Sequence, residues 1–218
     1  MPMGDPDRTV LAATRRSWHG VGELVLAGPQ YRRSGTIRLR AVPGGFGTVR
    51  EPALTVSGTS LVAVGRVEPI DGRTLAELGA AVGVDVGAPQ GLYHDGSGVP
   101  ADEPLTVDAG AAAHLAACLA VGDAALRAFA AGTVDAPVLW PEHFDLGVTV
   151  DEVNYGLSLG DSYLDEPYAY VGPWKSRRGE FWNAPFGAVR PVRELPTVEA
   201  LTRFFVDGRQ RAGAGPVA

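Results

Sequence analysis

Cysteine and lysine are almost absent from this 218-residue chain, in which Cys118 and Lys175 are the only residues of their types. A single cysteine excludes a disulfide within the chain and a zinc site built from several thiolates. Cys118 lies in an alanine-rich run, where we expect a small, buried apolar residue. Neither a dinucleotide-binding glycine motif nor a phosphate-binding P-loop occurs, so we predict no cofactor.

The sequence also lacks recognisable targeting and membrane segments. The first residues, MPMGDPDR, have neither the basic start nor the apolar core of a secretory signal. No stretch approaches the roughly 18 consecutive apolar residues that a membrane span needs. We therefore expect a cytoplasmic protein without a membrane partner. Its rich use of alanine, glycine, valine and arginine is typical of high-GC bacterial genomes.

Positive charge is missing from one long segment. Between Ala128 and Trp174 the chain has eight acidic residues and no lysine or arginine, so the remainder carries +2 of the net charge of −6. A surface that binds nucleic acid needs clustered basic side chains to neutralise phosphates. Because the basic residues are scattered, we predict no nucleic-acid partner.

Hydropathy patterns alternate between helical and strand spacing along the chain. An N-terminal helix over 5–27, capped by Asp5 or Asp7 and ended by Gly28-Pro29, precedes a strand meander that reaches residue 66. Thr74 and Glu77 have capping-box spacing at the start of a helical middle region over 71–131. Strand-like segments over 137–192 and a final helix over 197–211 complete the pattern.

This order of elements predicts an α+β fold. We expect a mostly antiparallel sheet, built from strands in both halves, with long helices packed on one side. The length is typical of one domain, which we predict to span 1–218.

The segment Trp140-Pro-Glu-His-Phe-Asp145 contains the first candidate for chemistry. If residues 142–146 are extended, His143 and Asp145 project from one face and Glu142 from the other. A carboxylate beside an imidazole can make it a general base, and the same pair could supply two metal ligands. His143 could instead brace a turn after Pro141. We predict His143, Asp145 and Glu142 as catalytic residues.

A second candidate is the acidic run from Asp151 to Asp161. Its oxygen atoms could hold Ca²⁺ or Mg²⁺, but the spacing differs from that of an EF-hand loop. A solvated polar surface is the other interpretation. We predict no metal here, and instead a ligand pocket to which Asn154, Tyr155 and Asp161 contribute.

Aromatic residues concentrate in the C-terminal half, where twelve of the 17 lie between Trp140 and Phe205. Tyr168 and Tyr170 are two residues apart and therefore project from one face of a strand. Rigid rings with polar tips suit a pocket wall, an interface or a core. We predict Tyr168, Tyr170, Trp174 and Trp182 as ligand-binding residues.

The segments LWPEHFD, NYGLSLGD, EPYAYVGPW and FWNAPFGAVRP lie within 138–191. With them, the chain resembles a set of uncharacterised bacterial proteins that share W-P-E-H-F-D and E-P-Y-x-Y-V-x-P-W elements. The resemblance implies only where a shared site lies, because no activity is assigned to such proteins. The N-terminal portion, with a helix followed by the strand TIRLR, is similar to sterol-carrier-like lipid-binding modules.

Taken together, these patterns predict that the protein binds a small organic molecule in a pocket lined by C-terminal aromatic and acidic side chains. General acid/base catalysis by His143 with Asp145 or Glu142 would take place within that pocket. The alternative is a non-catalytic interaction protein, whose aromatic surface forms a homodimer or binds another partner.

Overall fold

A computed structural model gives the structure of the chain and describes residues 7–132 and 136–214. The helical elements are α1 (Arg8–Gly20), a π-helix (Val21–Ala27), α2 (Gly28–Ser34), α3 (Leu75–Val82), α4 (Ala109–Phe129), a 3₁₀ turn (Val192–Glu194) and α5 (Val198–Ala214). The strands are β1 (Leu39–Val42), β2 (Gly45–Thr48), β3 (Thr55–Ser57), β4 (Ser60–Ala63), β5 (Arg66–Pro69), β6 (Val138–Trp140), β7 (Asp145–Val150), β8 (Val153–Ser158), β9 (Tyr168–Pro173) and β10 (Ala188–Pro191).

The predicted α+β class is confirmed, since the described residues form ten strands whose register is antiparallel throughout. The chain divides into two compact units. The first contains residues up to Ala120 together with Leu139–Phe144, and the second contains Val121–Val138 and Asp145–Ala218. A single folding domain over the whole chain stays a prediction.

In the first unit the strand order is β6-β1-β2-β3-β4-β5. The fully buried ring of Phe46 on β2 lies opposite Ala41 and Val56 of its neighbouring strands. Trp18 of α1 contacts that ring edge-on, with the ring centroids 5.4 Å apart. The helical layer approaches this face closely because Gly22 leaves room for the ring of Phe46.

The N-terminal helix does not end at Gly28-Pro29, so that prediction is wrong. Helical structure continues to Ser34 and ends at Gly35, which has a left-handed φ of 69°. Pro29 occupies the first turn of α2, where a missing N–H costs little. Gly28 is needed because a Cβ there would overlap the carbonyl oxygen of Gly87. Asp7 caps α1 by accepting from Thr9 N at 2.8 Å, whereas Asp5 lies outside the described residues.

The predicted helices of the middle region are confirmed. Thr74 and Glu77 form the expected capping box, and α3 ends at Gly83. In α4, Cys118 is 5% exposed and lies among buried apolar residues. Contrary to the sequence-based expectation, α4 is long and apolar enough to cross a membrane, although half of its most apolar window is buried. The core helix of a soluble protein has the same properties.

In the second unit the strand order is β10-β9-β8-β7. Tyr155 of β8 is fully buried against Phe129 of α4 and Phe205 of α5, with ring centroids 4.4 and 6.1 Å away. Both helices therefore cover the same face of this sheet. At the end of the region 137–192, for which strand-like segments were predicted, residues 180–192 form a strand only over Ala188–Pro191, because turns precede it.

Candidate functional site

A groove of about 570 Å³, open to solvent, lies in the second unit. Its apolar lining comes from Phe181, Leu195, Ala200 and Phe204, and both phenyl rings are buried. Charged side chains make up the rest of the lining, namely Arg190, Arg203, Arg211, Glu180, Glu194 and Asp207. We call this surface the arginine groove.

Strand β10 and helix α5 position most of these charges. Arg190 lies on β10 opposite Ala169, and its guanidinium carbon is 6.0 Å from the ring centroids of both Phe181 and Phe204. Arg203, Asp207 and Arg211 recur every four residues along α5, so they share one side of the helix. The groove is therefore built from elements far apart in the sequence.

Some of the charges in the arginine groove are already neutralised. Arg211 Nε donates to Asp207 Oδ1 at 2.8 Å, and Glu194 pairs with Arg193 at 3.3 Å. Within residues 7–132 and 136–214, Arg190 and Arg203 make no direct salt bridge, although Arg203 interacts electrostatically with Glu199 on the preceding turn of α5. Arg190 instead donates to the Val189 carbonyl at 2.8 Å. The lining as a whole carries three arginines and three carboxylates, so its formal charge is balanced, and Arg190 and Arg203 are the guanidinium groups in it that lack a direct salt bridge among the described residues.

None of the predicted ligand-binding residues lines the arginine groove. The structure nevertheless brings several of them together on the face of the second unit's sheet that lies opposite Tyr155. Asp145, Ser158 and Tyr168 are register partners, as are Gly156 and Tyr170. We call this surface the tyrosine face, defined by Asp145, Asn154, Tyr168 and Tyr170.

Hydrogen bonds connect other predicted residues to the tyrosine face. Tyr168 Oη donates to Asp161 Oδ2 at 2.6 Å, and Tyr170 Oη donates to Asp145 Oδ2. Trp174 Nε1 donates to Asn154 Oδ1 at 3.3 Å. Six predicted residues thus lie close together on this face of the sheet.

Two predicted ligand-binding residues lie elsewhere. Tyr155 is fully buried on the helix-covered face, where burial raises the pKa of its hydroxyl to about 12. Trp182 contacts Phe181 edge-on at 4.9 Å and so neighbours the arginine groove. Tyr155 is a core residue, since its ring packs between α4 and α5.

Burial is the main cause that raises the pKa of Tyr168 and Tyr170, and their bonds to Asp161 and Asp145 raise it further. Both hydroxyls therefore stay protonated and act as donors at neutral pH. Because both hydroxyls donate to carboxylates of the same unit, the polar groups of the tyrosine face already form hydrogen bonds with one another.

The predicted strand geometry around His143 is wrong. Residues 141–144 form a turn, and β7 begins only at Asp145. Phe144 has a φ of 52°, a left-handed conformation that breaks the alternation on which a shared face for His143 and Asp145 depended. The buried ring of Phe144 stacks on His19 at 5.1 Å, while His143 is exposed. Packing of Phe144 therefore favours the turn over an extended strand.

His19 and Glu23 of the N-terminal helix lie near this turn, within the first unit. His19 Nε2 donates to the Pro141 carbonyl oxygen at 2.7 Å. The Glu23 carboxylate is buried and accepts from Ser97 N at 2.7 Å. A Cβ at position 96 would overlap that carboxylate, so Gly96 lets the loop backbone lie against it.

In this region, Glu142 and His143, which were predicted to be catalytic, interact electrostatically with residues that were not predicted to belong to a site. Burial is the main cause that lowers the pKa of His19, with His143 adding to the effect while the Pro141 carbonyl and Glu23 oppose it. Burial raises the pKa of Tyr93, and Glu23 and Glu142 raise it further. We call His19, Glu23, Tyr93, Glu142 and His143 the histidine–glutamate cluster.

The hydrogen bond to Pro141 fixes the tautomer of the neutral His19 ring. Because Nε2 carries the proton donated to Pro141, Nδ1 is the unprotonated nitrogen of the neutral ring. A half-buried neutral imidazole beside a carboxylate has the properties of a general base. Glu23 belongs to a seven-residue π-helix, a rare conformation that often occurs at functional sites.

Sequence reasoning missed His19 and Glu23, although their spacing of four residues on a helix was a usable signal. It also missed the arginines of the groove, for which no local motif exists. Among the described residues, no group of three or more histidine, cysteine, aspartate or glutamate side chains could hold a metal ion.

Comparison with known proteins gives no relative from which a function could be transferred. No protein family, no curated protein and no solved structure matches the chain. The resemblances at 138–191 and in the N-terminal portion therefore gain no support, and function has to be argued from geometry.

Proposed function

We propose that the protein binds a small organic molecule with an acidic group in the arginine groove. The observation that carries the proposal is a cavity lined by two guanidinium groups without a direct salt bridge among the described residues, one of which, that of Arg190, lies over the rings of both Phe181 and Phe204. Volumes of 300–1,000 Å³ are typical of small-molecule sites.

The shape and charge of the groove favour a particular kind of ligand. Phe181 and Phe204 offer an apolar floor for an aromatic or branched aliphatic body. Arg190 and Arg203 offer donors in a fork geometry that suits a carboxylate or a phosphate. The sequence favoured an acidic pocket, whereas the groups of this groove that lack a direct salt bridge include two guanidinium groups, so we expect an organic anion.

A thermal-shift screen with matched arylcarboxylates, arylamides and arylamines tests the proposal. We expect the carboxylates to raise the melting temperature and the isosteric amides to have little effect. Arg190→Gln and Arg203→Gln should each weaken carboxylate binding about tenfold or more, since each removes a charge-assisted hydrogen bond. Arg50→Gln, at an exposed position outside the groove, is the matched control. Preferential binding of the amines would contradict the proposal.

General acid/base catalysis is a second candidate function, favoured by the histidine–glutamate cluster. In this proposal the neutral Nδ1 of His19 accepts a proton, while Glu142 and His143 on the neighbouring turn assist. Asp145, which accepts from Tyr170, has no part in it.

Turnover of a substrate library by the wild type and by His19→Gln tests this candidate. We expect activity to fall when His19 becomes protonated, and therefore to decrease toward acid pH. His94→Gln, at an exposed histidine outside the cluster, is the control and should retain activity. Full turnover by His19→Gln would eliminate the candidate.

We place either function in a reducing bacterial cytoplasm, as expected from the single cysteine and the residue usage.

A further inference from the structure

Strand β5 ends the sheet of the first unit, where β4 is its only neighbour among the described strands. Arg66, Val67 and Pro69 are exposed along it. Val64, in the turn before β5, is 90% exposed, and Val67 is 66% exposed. These two valines are the most exposed large apolar side chains in the described part of the chain. An open edge with apolar side chains is a template for pairing with another strand.

The register with β4 shows which backbone groups face outward. Ile70 N donates to Thr59 O at 2.9 Å, so Ile70 points toward β4. Because backbone groups alternate along a strand, Glu68 and Arg66 also point toward β4. Val67 therefore directs its N–H and its C=O toward the open edge, and Pro69 adds a carbonyl.

The order of charges on β5 is self-complementary. In an antiparallel pair of two β5 strands with its twofold axis at Val67, each Val67 donates to the Val67 carbonyl of the other copy. The same register sets Arg66 opposite the partner's Glu68, twice per dimer. Opposite charges at facing positions favour pairing, whereas like charges oppose it.

Charged residues and proline often protect edge strands against association. Charges of one sign protect an edge by repelling an identical strand, because like charges at facing positions oppose pairing. On β5 the signs differ on the two sides of Val67, so an identical strand is not repelled, and Arg66 can face a partner Glu68 that within its own chain has only a 3.8 Å contact with Arg73. Pro69 does not interfere with the central pair, because that pair uses only groups of Val67.

We propose that two copies of this chain associate through their β5 strands, forming an antiparallel homodimer centred on Val67. The bonds at the centre of the interface are the two Val67 N–H to Val67 C=O hydrogen bonds. Two Arg66–Glu68 pairs and the exposed valines surround them. A four-residue strand buries little area, so the dimer dissociates on dilution.

Sedimentation velocity of the full chain over a wide concentration range tests the proposal. We expect reversible dimerisation, and we expect Val67→Pro to abolish it because proline removes the central donor. Val67 N–H does not take part in the β4 ladder, so the melting temperature of this variant should change little. Val67→Thr keeps the N–H and is the matched control, which should still dimerise.

Charge reversal gives a second, independent test. Arg66→Glu and Glu68→Arg should each weaken the dimer about tenfold, since each creates two like-charge contacts per dimer. The double variant restores the complementarity, so it should recover most of the wild-type affinity. A chain that stays monomeric at several hundred micromolar would overturn the proposal. So would a dimer that survives Val67→Pro but is lost in Trp174→Ala, because the interface would then be aromatic.

Discussion

The two units use ionisable side chains in opposite ways. In the first unit the Glu23 carboxylate is buried and held by the backbone of a loop that reaches it only because residue 96 is glycine. In the second unit Arg190 and Arg203 line an open groove without direct salt bridges among the described residues. A buried charge needs a partner within the protein, because it has lost its hydration. A charge in an open groove is still hydrated, so it needs no such partner and is available to bind a ligand. The difference separates structural polar groups from groups available for binding.

Substitution of Glu23 should give the largest effect on stability. Glu23→Ala leaves the part-buried Ser97 N–H without its acceptor and removes the carboxylate that packs against Gly96. We expect a loss of about 2–4 kcal/mol in the free energy of unfolding, measured by chemical denaturation. Glu180→Ala, at an exposed carboxylate of the groove, should change it by less than about 0.5 kcal/mol. Equal losses in the two variants would contradict the comparison.

Two tyrosines of the second unit test the same comparison, and the change that we expect in the free energy of unfolding is of intermediate size. Tyr168→Phe removes a donor from Asp161 and should cost about 1–2 kcal/mol. Tyr155 Oη is buried and has no hydrogen-bond partner in the described part of the chain. Tyr155→Phe should therefore be neutral or slightly stabilising, because it removes an unsatisfied polar group. Denaturant midpoints of both variants check the contrast, and a loss in Tyr155→Phe matching that in Tyr168→Phe would refute it.

The pH dependence of stability should show the smallest of these effects. Burial lowers the pKa of His19, so the unfolded chain binds a proton at higher pH than the folded chain does. The contribution of neutral His19 to the free energy of unfolding is fully present above the ordinary histidine pKa of about 6.5, and it is lost as pH falls below that value. His19→Gln should flatten this part of a melting profile recorded between pH 8 and pH 5. A profile of unchanged steepness would show that the imidazole is not the group involved.

Local signals explain which parts of the fold were predictable. The capping box of Thr74 and Glu77 and the alanine-rich α4 depend on neighbours within a few residues, and both are confirmed. The π-helix and α2 were missed because Gly28-Pro29 has the local signature of a helix end. Its real role depends on Gly87, which lies far away in the sequence.

The candidate sites depend even more on contacts between residues that are far apart in the sequence, and local signals do not reveal such contacts. Alternation along a single strand correctly put Tyr168 and Tyr170 on one face, since that property follows from strand geometry alone. The pairing of His143 with Asp145 on a strand face failed because packing of Phe144 produces a turn. The groove required β10 and α5 to meet, and no short motif contains that information.

The central claim is that the arginine groove, rather than the tyrosine face, binds the ligand. The most direct measurement follows the Nε–Hε resonances of Arg190 and Arg203 by NMR while an arylcarboxylate is added, with Arg50 as internal reference. We predict saturable shifts of both groove arginines and of backbone amides near Phe181 and Phe204, with Arg50 unchanged. Shifts that cluster at Asn154 and Trp174, while Arg190 and Arg203 stay unchanged, would contradict the claim.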